Sequence, residues 1–198
     1  MSHQTDLRVT KTNDAIHTAF LSLIDQKGFE NITINDIAQT AKINRSTFYL
    51  HYVDKYDLLK QMTAVGMTKI IAAMAPELYF SKNTFKEAAF TDDLGQALKV
   101  VANEPRLYAF ILNDPNHLGL RQQAEDALQQ RLIECLPQKT AVERDLLLNI
   151  VPAVYLSVIR WWLANDMRYS STFLAHELAK FFKLGSRSLM SPESHMNF

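Results

Sequence analysis

The segment Arg45-Ser46-Thr47-Phe48-Tyr49-Leu50-His51-Tyr52 concentrates side chains that can read a polyanion. Arginine can fork onto a guanine edge, hydroxyls can reach phosphates, and an aromatic edge can meet a thymine methyl. Nothing comparable marks an enzyme. The chain contains no G-x-S-x-G, P-loop, G-x-G-x-x-G or H-E-x-x-H pattern. Its six histidines (His3, His17, His51, His117, His176, His195) form no i, i+4 pair or ligand-like cluster, so no metal and no cofactor is expected. The single cysteine, Cys135, falls late in an amphipathic stretch and reads as a packed thiol.

An eight-residue helix is too short to stand alone, so neighbouring elements must hold it. Ile16, Ala19, Phe20, Leu23 and Ile24 have the spacing of one buried helical face, and Gly28 can end that helix, which is expected over Thr10–Lys27. Thr33 with Asp36 predicts a reciprocal N-terminal cap, flanked by Ile32 and Ile37 as a hydrophobic staple, for a helix reaching Ala41. Lys42-Ile43-Asn44 forms a tight turn in which Asn44 can cap the presented helix. Asp54 with Asp57 repeats the cap logic for a fourth helix that stops near Pro76. Phe48 should pack on Ile34, Ile37 and Ala38, leaving Ser46, Tyr49 and Leu50 directed outward. This arrangement is a helix-turn-helix.

Ile32-Thr33-Ile34-Asn35-Asp36-Ile37-Ala38, then Ser46 to Tyr52, then Asp54-Lys55-Tyr56-Asp57-Leu58-Leu59 closely resemble the TetR/AcrR family of bacterial transcriptional regulators. The likeness covers about Thr10–Lys60. It implies an all-α homodimer. Residues 1–60 would form a three-helix helix-turn-helix DNA-binding domain, with helix four (54–75) bridging to a helical ligand-binding and dimerisation domain over 61–198. By position, Thr33 and Asn35 resemble residues contacting phosphate or a base edge. Arg45 and Ser46 resemble the base-reading start of the recognition helix. Thr47, His51 and Tyr52 match phosphate-contacting positions, Tyr49 a base- or phosphate-contacting one, and Lys55 the phosphate clamp at the start of helix four.

Two departures stand out. The family usually carries Gly where this turn has Lys42; a left-handed backbone there costs a non-glycine residue about 1–2 kcal/mol. Residues 1–60 also balance seven Lys/Arg against seven Asp/Glu, so any DNA binding must rest on local placement and dimerisation.

The rest of the chain reads as helices. Ala75–Thr91 is expected to be a connector with a short helix, and Thr91-Asp92-Asp93 to cap a helix ending near Asn103. Pro105 opens a helix to Asn113; others are expected over Asn116–Leu136, Val142–Asn165 (with Pro152 inside) and Thr172–Leu184. The Val142–Asn165 stretch is apolar over more than half its circumference and needs two partners, the second being another subunit. Arg160-Trp161-Trp162-Leu163 resembles the subset of the family similar to the dihydroxyacetone-kinase regulator of low-GC bacteria. Tyr108, Phe110, Asn113, Asp114, Tyr155, Arg160 and Trp161 are the candidates for a small-molecule effector pocket, each equally readable as core or surface.

Composition agrees with an all-helical globular chain: 198 residues, 47% hydrophobic and 21% charged, with only 5 Gly and 6 Pro. Lys+Arg and Asp+Glu are both 21, which gives no global field for polyanions. No run approaches the ~18 apolar residues of a membrane span, and Met1–Asp14 lacks the apolar centre of a signal peptide, so a cytoplasmic location is expected. The function expected is a homodimeric repressor whose grip on a double-stranded DNA operator is controlled by a small molecule. The alternative is a coregulator that keeps the fold and acts through a protein partner.

Overall fold

The computed structural model describes residues 2–75, 80–81, 84–114 and 118–184. They form nine helices: α1 (Ser2–Lys27), α2 (Ile34–Thr40), α3 (Arg45–Tyr49), α4 (Lys55–Ala72), α5 (Glu87–Asn103), α6 (Pro105–Asn113), α7 (Leu120–Cys135), α8 (Arg144–Ala164) and α9 (Ser171–Leu184). One 3-10 turn spans Phe29–Asn31, and an antiparallel ladder of two-residue strands pairs Phe80 with Phe85 and Ser81 with Thr84. The chain divides into two compact units: Met1–Gly66 with Pro115–Leu118, and Met67–Asp114 with Gly119–Phe198. The division falls inside α4.

In the first unit α1 packs on α2 and on the 3-10 turn, and α2 packs on α3. Ile16, Ala19, Phe20 and Leu23 of α1 are buried together with Phe29, Ile32, Ile37, Ala38 and Phe48. Burying each phenylalanine contributes up to about 3 kcal/mol, and this holds α3 although it has only five residues. Gly28, at φ 74°, ends α1 in a conformation that glycine adopts without strain. Thr33 and Asp36 form the reciprocal cap: the Asp36 amide donates to Thr33 Oγ1 at 3.2 Å and the Thr33 amide to Asp36 Oδ2 at 2.8 Å. At α4, Asp54 Oδ1 accepts the amides of Tyr56 and Asp57 at 2.9 and 2.8 Å, while Asp57 Oδ2 accepts the Val53 amide at 2.9 Å. Lys42 sits at φ 56°, the left-handed region that the sequence made costly for it.

In the second unit α5 packs on α6 and α9, α6 on α7 and α8, and α7 on α8. Small residues let α5 and α9 approach closely: a Cβ placed on Gly95 would lie 3.8 Å from Cβ of Ala175. The buried core includes Leu98, Val101, Leu107, Ile111, Leu128, Leu156 and Trp162. Trp162 Nε1 donates to the Tyr169 carbonyl at 2.8 Å, tying the α8–α9 connection to the end of α8.

Several boundaries differ from the sequence reading. Helix α1 begins at Ser2 rather than near Thr10 because polar residues extend a helix at no packing cost. Helix α3 ends at Tyr49; Leu50 caps it, and the His51 and Tyr52 amides bond back to the Phe48 carbonyl. Asn44 stands at the α3 cap without a side-chain hydrogen bond. The fourth helix ends at Ala72. Where a short helix was expected between Ala75 and Thr91, the described residues instead form the small ladder, and α5 already begins at Glu87. Thr91 is therefore no cap: it is buried inside α5, its hydroxyl donating to the Glu87 carbonyl at 2.9 Å. Helix α7 begins at Leu120, and Asn116, its expected start, lies outside the described residues.

The expectation that no segment matches a membrane span also needs correction. By length and mean hydropathy (1.6), α8 qualifies, the one such helix among the described residues. Its apolar character has a packing cause on one side, where Leu148, Pro152, Tyr155, Leu156, Ile159 and Trp162 are buried. The other side is an exposed apolar strip.

Candidate nucleic-acid interface

Eight of the nine expected contact residues, Thr33 among them, lie on or beside the outer surface of the first unit. Asn35, Arg45 and Ser46 are exposed, Tyr49 is half-exposed, and Thr47, His51 and Lys55 are partly exposed. Leu50 and Val53 project further still, at 82% and 76% exposure, and give this face an apolar edge. The helix that presents these groups is braced by Phe48, whose ring meets Tyr49 edge-on at 5.8 Å and Tyr52 at 5.6 Å.

Arg45 and Tyr49 act as a pair one turn apart. The guanidinium donates from Nη2 to the Tyr49 hydroxyl at 3.0 Å and lies 5.5 Å from the ring centroid. That holds an otherwise mobile side chain in one orientation, with donors left over for a base edge. Their i, i+4 spacing makes this pair legible in the sequence.

Three of the nine are more tied up than their residue types suggest. Thr33 Oγ1 serves the α2 cap, both donating to Asp36 Oδ2 at 2.7 Å and accepting the Asp36 amide. Lys55 Nζ donates to the carbonyls of Phe29 and Glu30 at 3.0 and 2.8 Å and lies 4.8 Å from the Phe29 ring centroid. It thus fastens the start of α4 to the 3-10 turn while keeping its charge at the surface. Tyr52 departs most from expectation. It is only 5% exposed, with its hydroxyl 2.9 Å from His17 Nε2 and donating to Asn13 Oδ1 at 3.3 Å, so it braces α1 instead of facing outward. Burial also raises its pKa, aided by the nearby Asp57 carboxylate. These partners lie 25 to 39 residues away, beyond any local pattern.

Charge is largely balanced where it is densest. Lys27 pairs with Asp36 at 2.5 Å. That ion pair, followed by the Thr33 hydroxyl and amide, holds the Asp36 carboxyl far below the usual carboxylate range. The Val53 amide and then the Gln61 side chain lower Asp57 in the same direction.

Neither of two interior voids nor an outer groove is bordered by more than one of the seven residues expected to line an effector pocket, and Phe110 is buried in α6. Tyr108 is 1% exposed in α6, its pKa raised by burial and then by Glu104. Asn113 is exposed; Asp114 caps α6 at φ 41° and accepts the Gly119 amide at 2.9 Å. Arg160 and Trp161 face outward on α8. Tyr155 alone borders an interior void, stacked on Phe182 at 5.8 Å and edge-on to Phe90 at 6.5 Å. That void measures about 20 Å³, and a second of about 10 Å³ shares Met74, Leu128 and Tyr155 with it. On the outside, a groove of about 460 Å³ runs between α8 and α9, bordered by Val154, Val158, Trp161, Tyr169, Phe173 and Phe181. Trp161, Tyr169 and Phe173 stack in series at 6.1 and 4.9 Å, with Arg168 4.8 Å from the Tyr169 ring centroid. Among the described residues no group of His, Cys, Asp and Glu is arranged to hold a metal.

A braced short helix after a four-residue turn, in a chain with a second, mainly helical unit, defines a helix-turn-helix protein of the two-unit type. Residues 16–62 match the model for bacterial regulatory proteins of the tetR family. The match is confined to this N-terminal segment, about a quarter of the chain. Over 181 residues it is 28% identical to YxbF of Bacillus subtilis (strain 168), described as an uncharacterized HTH-type transcriptional regulator, with 90% of this chain and 46% of the relative covered. The chain therefore spans just under half the length of that relative. Among solved structures, the fatty acid degradation regulator FadR from Bacillus halodurans matches with a TM-score of 0.67 at 18% identity, covering 89% of this chain and 96% of that one. The dihydroxyacetone kinase operon activator DhaS matches at 0.60 and 18% identity, covering 91% and 98%. At such identities the likeness is one of fold, and it includes the regulator that the Arg160–Leu163 run resembles.

Proposed function

We propose that this chain is a cytoplasmic, homodimeric DNA-binding transcriptional regulator, a repressor whose hold on its operator is set by a small molecule. The observation that carries the reading is the presentation of Arg45, Ser46 and Tyr49 on one exposed face of α3, inside a domain that matches the tetR family. Arg45 and Tyr49 address base edges in the major groove, and Asn35, Thr47, His51 and Lys55 address phosphates. The apolar strip of α8 and α9 supports a subunit interface: Trp161, Phe173 and Phe181 are each more than 40% exposed on one chain. Dimerisation sets two recognition helices to half-sites one turn of DNA apart, about 34–36 Å.

One observation favours a second reading, a coregulator working through a protein partner. Lys27, Arg45 and Lys55 are all engaged within the first unit, which weakens the electrostatic pull on DNA. A titration of the protein against the DNA upstream of its own gene, at several salt concentrations, separates the two. Saturable binding whose logarithm falls steeply with the logarithm of salt supports the regulator. Binding no tighter than to scrambled duplex leaves the coregulator.

A further inference from the structure

We infer that Leu50 is a specificity-determining residue whose side chain meets the 5-methyl group of a thymine in the major groove; this rests on the DNA-binding reading above. Leu50 and Val53 are the two most exposed large apolar side chains among the described residues, at 82% and 76%. The core of the first unit does not use Leu50. Phe48 and Tyr52, two residues to either side of it, are the ones buried. A branched apolar side chain left almost wholly in water gains nothing on folding.

The course of α3 sets Leu50 beside the groups that address bases. With φ −73° and ψ −19°, and its amide donating to the Thr47 carbonyl at 3.2 Å, Leu50 continues the turn of the helix. It follows Ser46 by four residues, as Tyr49 follows Arg45. The exposed columns Arg45–Tyr49 and Ser46–Leu50 thus stand side by side on α3, about 100° apart. Leu50 lies about 7.5 Å beyond Arg45 at about 1.5 Å per residue, and DNA rises about 3.4 Å per base pair. With α3 along the major groove, the two side chains address pairs about two apart.

Leucine carries no donor or acceptor, so it gains nothing from a phosphate or from the polar edge of a base. Thymine is the base whose major-groove edge bears an apolar group. What Leu50 can distinguish is therefore a methyl group against hydrogen. A protein partner is the competing occupant of an exposed apolar pair. One leucine and one valine, however, cover a small part of the roughly 800 Å² per partner that a stable protein interface buries. The neighbouring Arg45, Ser46 and Asp54 are exposed and polar, so the apolar area does not extend past them. One methyl group needs only one such side chain.

The test replaces thymine by deoxyuridine, which removes the methyl group and keeps every hydrogen-bonding group of the base. The site on the DNA upstream of the gene is mapped by footprinting, and each thymine within it is replaced in turn. Anisotropy titrations of the full chain then read the affinities. The expected result is a loss of about four-fold at a thymine of each half-site, the worth of one buried methyl group. Leu50→Ala should bind the thymine duplex about four-fold more weakly or worse and be indifferent to uracil at that position. Leu50→Met, an apolar side chain of similar reach, should keep the preference for the methyl group. Unchanged affinity of the wild type for every uracil duplex overturns the inference. So does an equal loss in wild type and Leu50→Ala, which gives the methyl group to another residue. Leu50→Ala that binds all duplexes as the wild type does also overturns it, and leaves the side chain to a protein partner. The two readings fail separately: DNA binding that ignores methyl groups removes this inference alone, whereas a chain that binds no DNA removes the regulator and this inference with it.

Discussion

The Arg45 guanidinium and the Tyr49 hydroxyl are joined across one turn of α3, with Nη2 donating at 3.0 Å and Nε at 3.4 Å. Tyrosine therefore fixes where arginine points, and the two should share a base pair. Arg45→Ala is expected to cost about 1–3 kcal/mol of DNA affinity, concentrated at that base pair. Tyr49→Phe keeps the ring, removes the acceptor, and should cost about 1 kcal/mol at the same position. Anisotropy titrations against the upstream duplex and its single-base variants measure both. Equal losses on scrambled DNA would show that neither residue reads sequence.

Lys55 has two tasks that one substitution separates. Lys55→Met deprives the Phe29 and Glu30 carbonyls of a charged donor and should lower unfolding free energy by about 1.5 kcal/mol in urea titrations without DNA. The same variant should weaken binding to all duplexes alike and reduce the salt slope by about one. Full stability in the variant would mean that water replaces the lysine at these carbonyls.

Asp36 and Asp57 give the first unit an acid limit. Each binds fewer protons folded than unfolded, because its folded pKa lies below the unfolded value of about 3.9. The stability they add is complete above about pH 5 and is lost as pH falls through and below 4. Urea unfolding followed by circular dichroism at pH 7, 4 and 3 should show this decline. Asp36→Asn and Asp57→Asn should each flatten it while lowering stability at pH 7. A wild-type midpoint that does not move between pH 7 and 3 would contradict the assignment.

Lys42 marks a stabilising substitution. At φ 56° it sits where glycine is at ease, and Lys42→Gly should raise stability by roughly 0.5–1 kcal/mol after the extra freedom of glycine in the unfolded chain is subtracted. A lower urea midpoint in the variant would show that the lysine side chain makes up for its backbone.

The parts of the molecule legible in sequence are those fixed by neighbours along the chain. The Thr33–Asp36 and Asp54–Asp57 caps and the α1 face from Ile16 to Leu23 follow from spacings of four residues or fewer, while the strain at Lys42 is legible only through the resemblance, which puts glycine there. Arg45 with Tyr49 is legible from its spacing as well. What escaped depends on residues brought together by folding: Tyr52 is drawn inward by His17 and Asn13, and Lys55 by carbonyls 25 residues upstream.

The exposed apolar face of α8 and α9 leads to the last expectation. On a single chain Phe173 and Phe181 are 47% and 43% exposed, and Val158 lies between Val154 and Trp161 along the same groove. Covering this face with its own copy removes apolar area from water at about 25 cal/mol per Å² and needs no new fold. A carboxylate placed there would have to leave water for an apolar interface, which is costly. Phe181→Glu and Val158→Glu should therefore yield monomers or aggregates, with helicity retained because neither side chain belongs to the buried core. Sedimentation velocity at micromolar concentration reads the outcome. A wild-type chain that sediments as a stable monomer would leave this face to a different protein, which is the arrangement the coregulator reading requires.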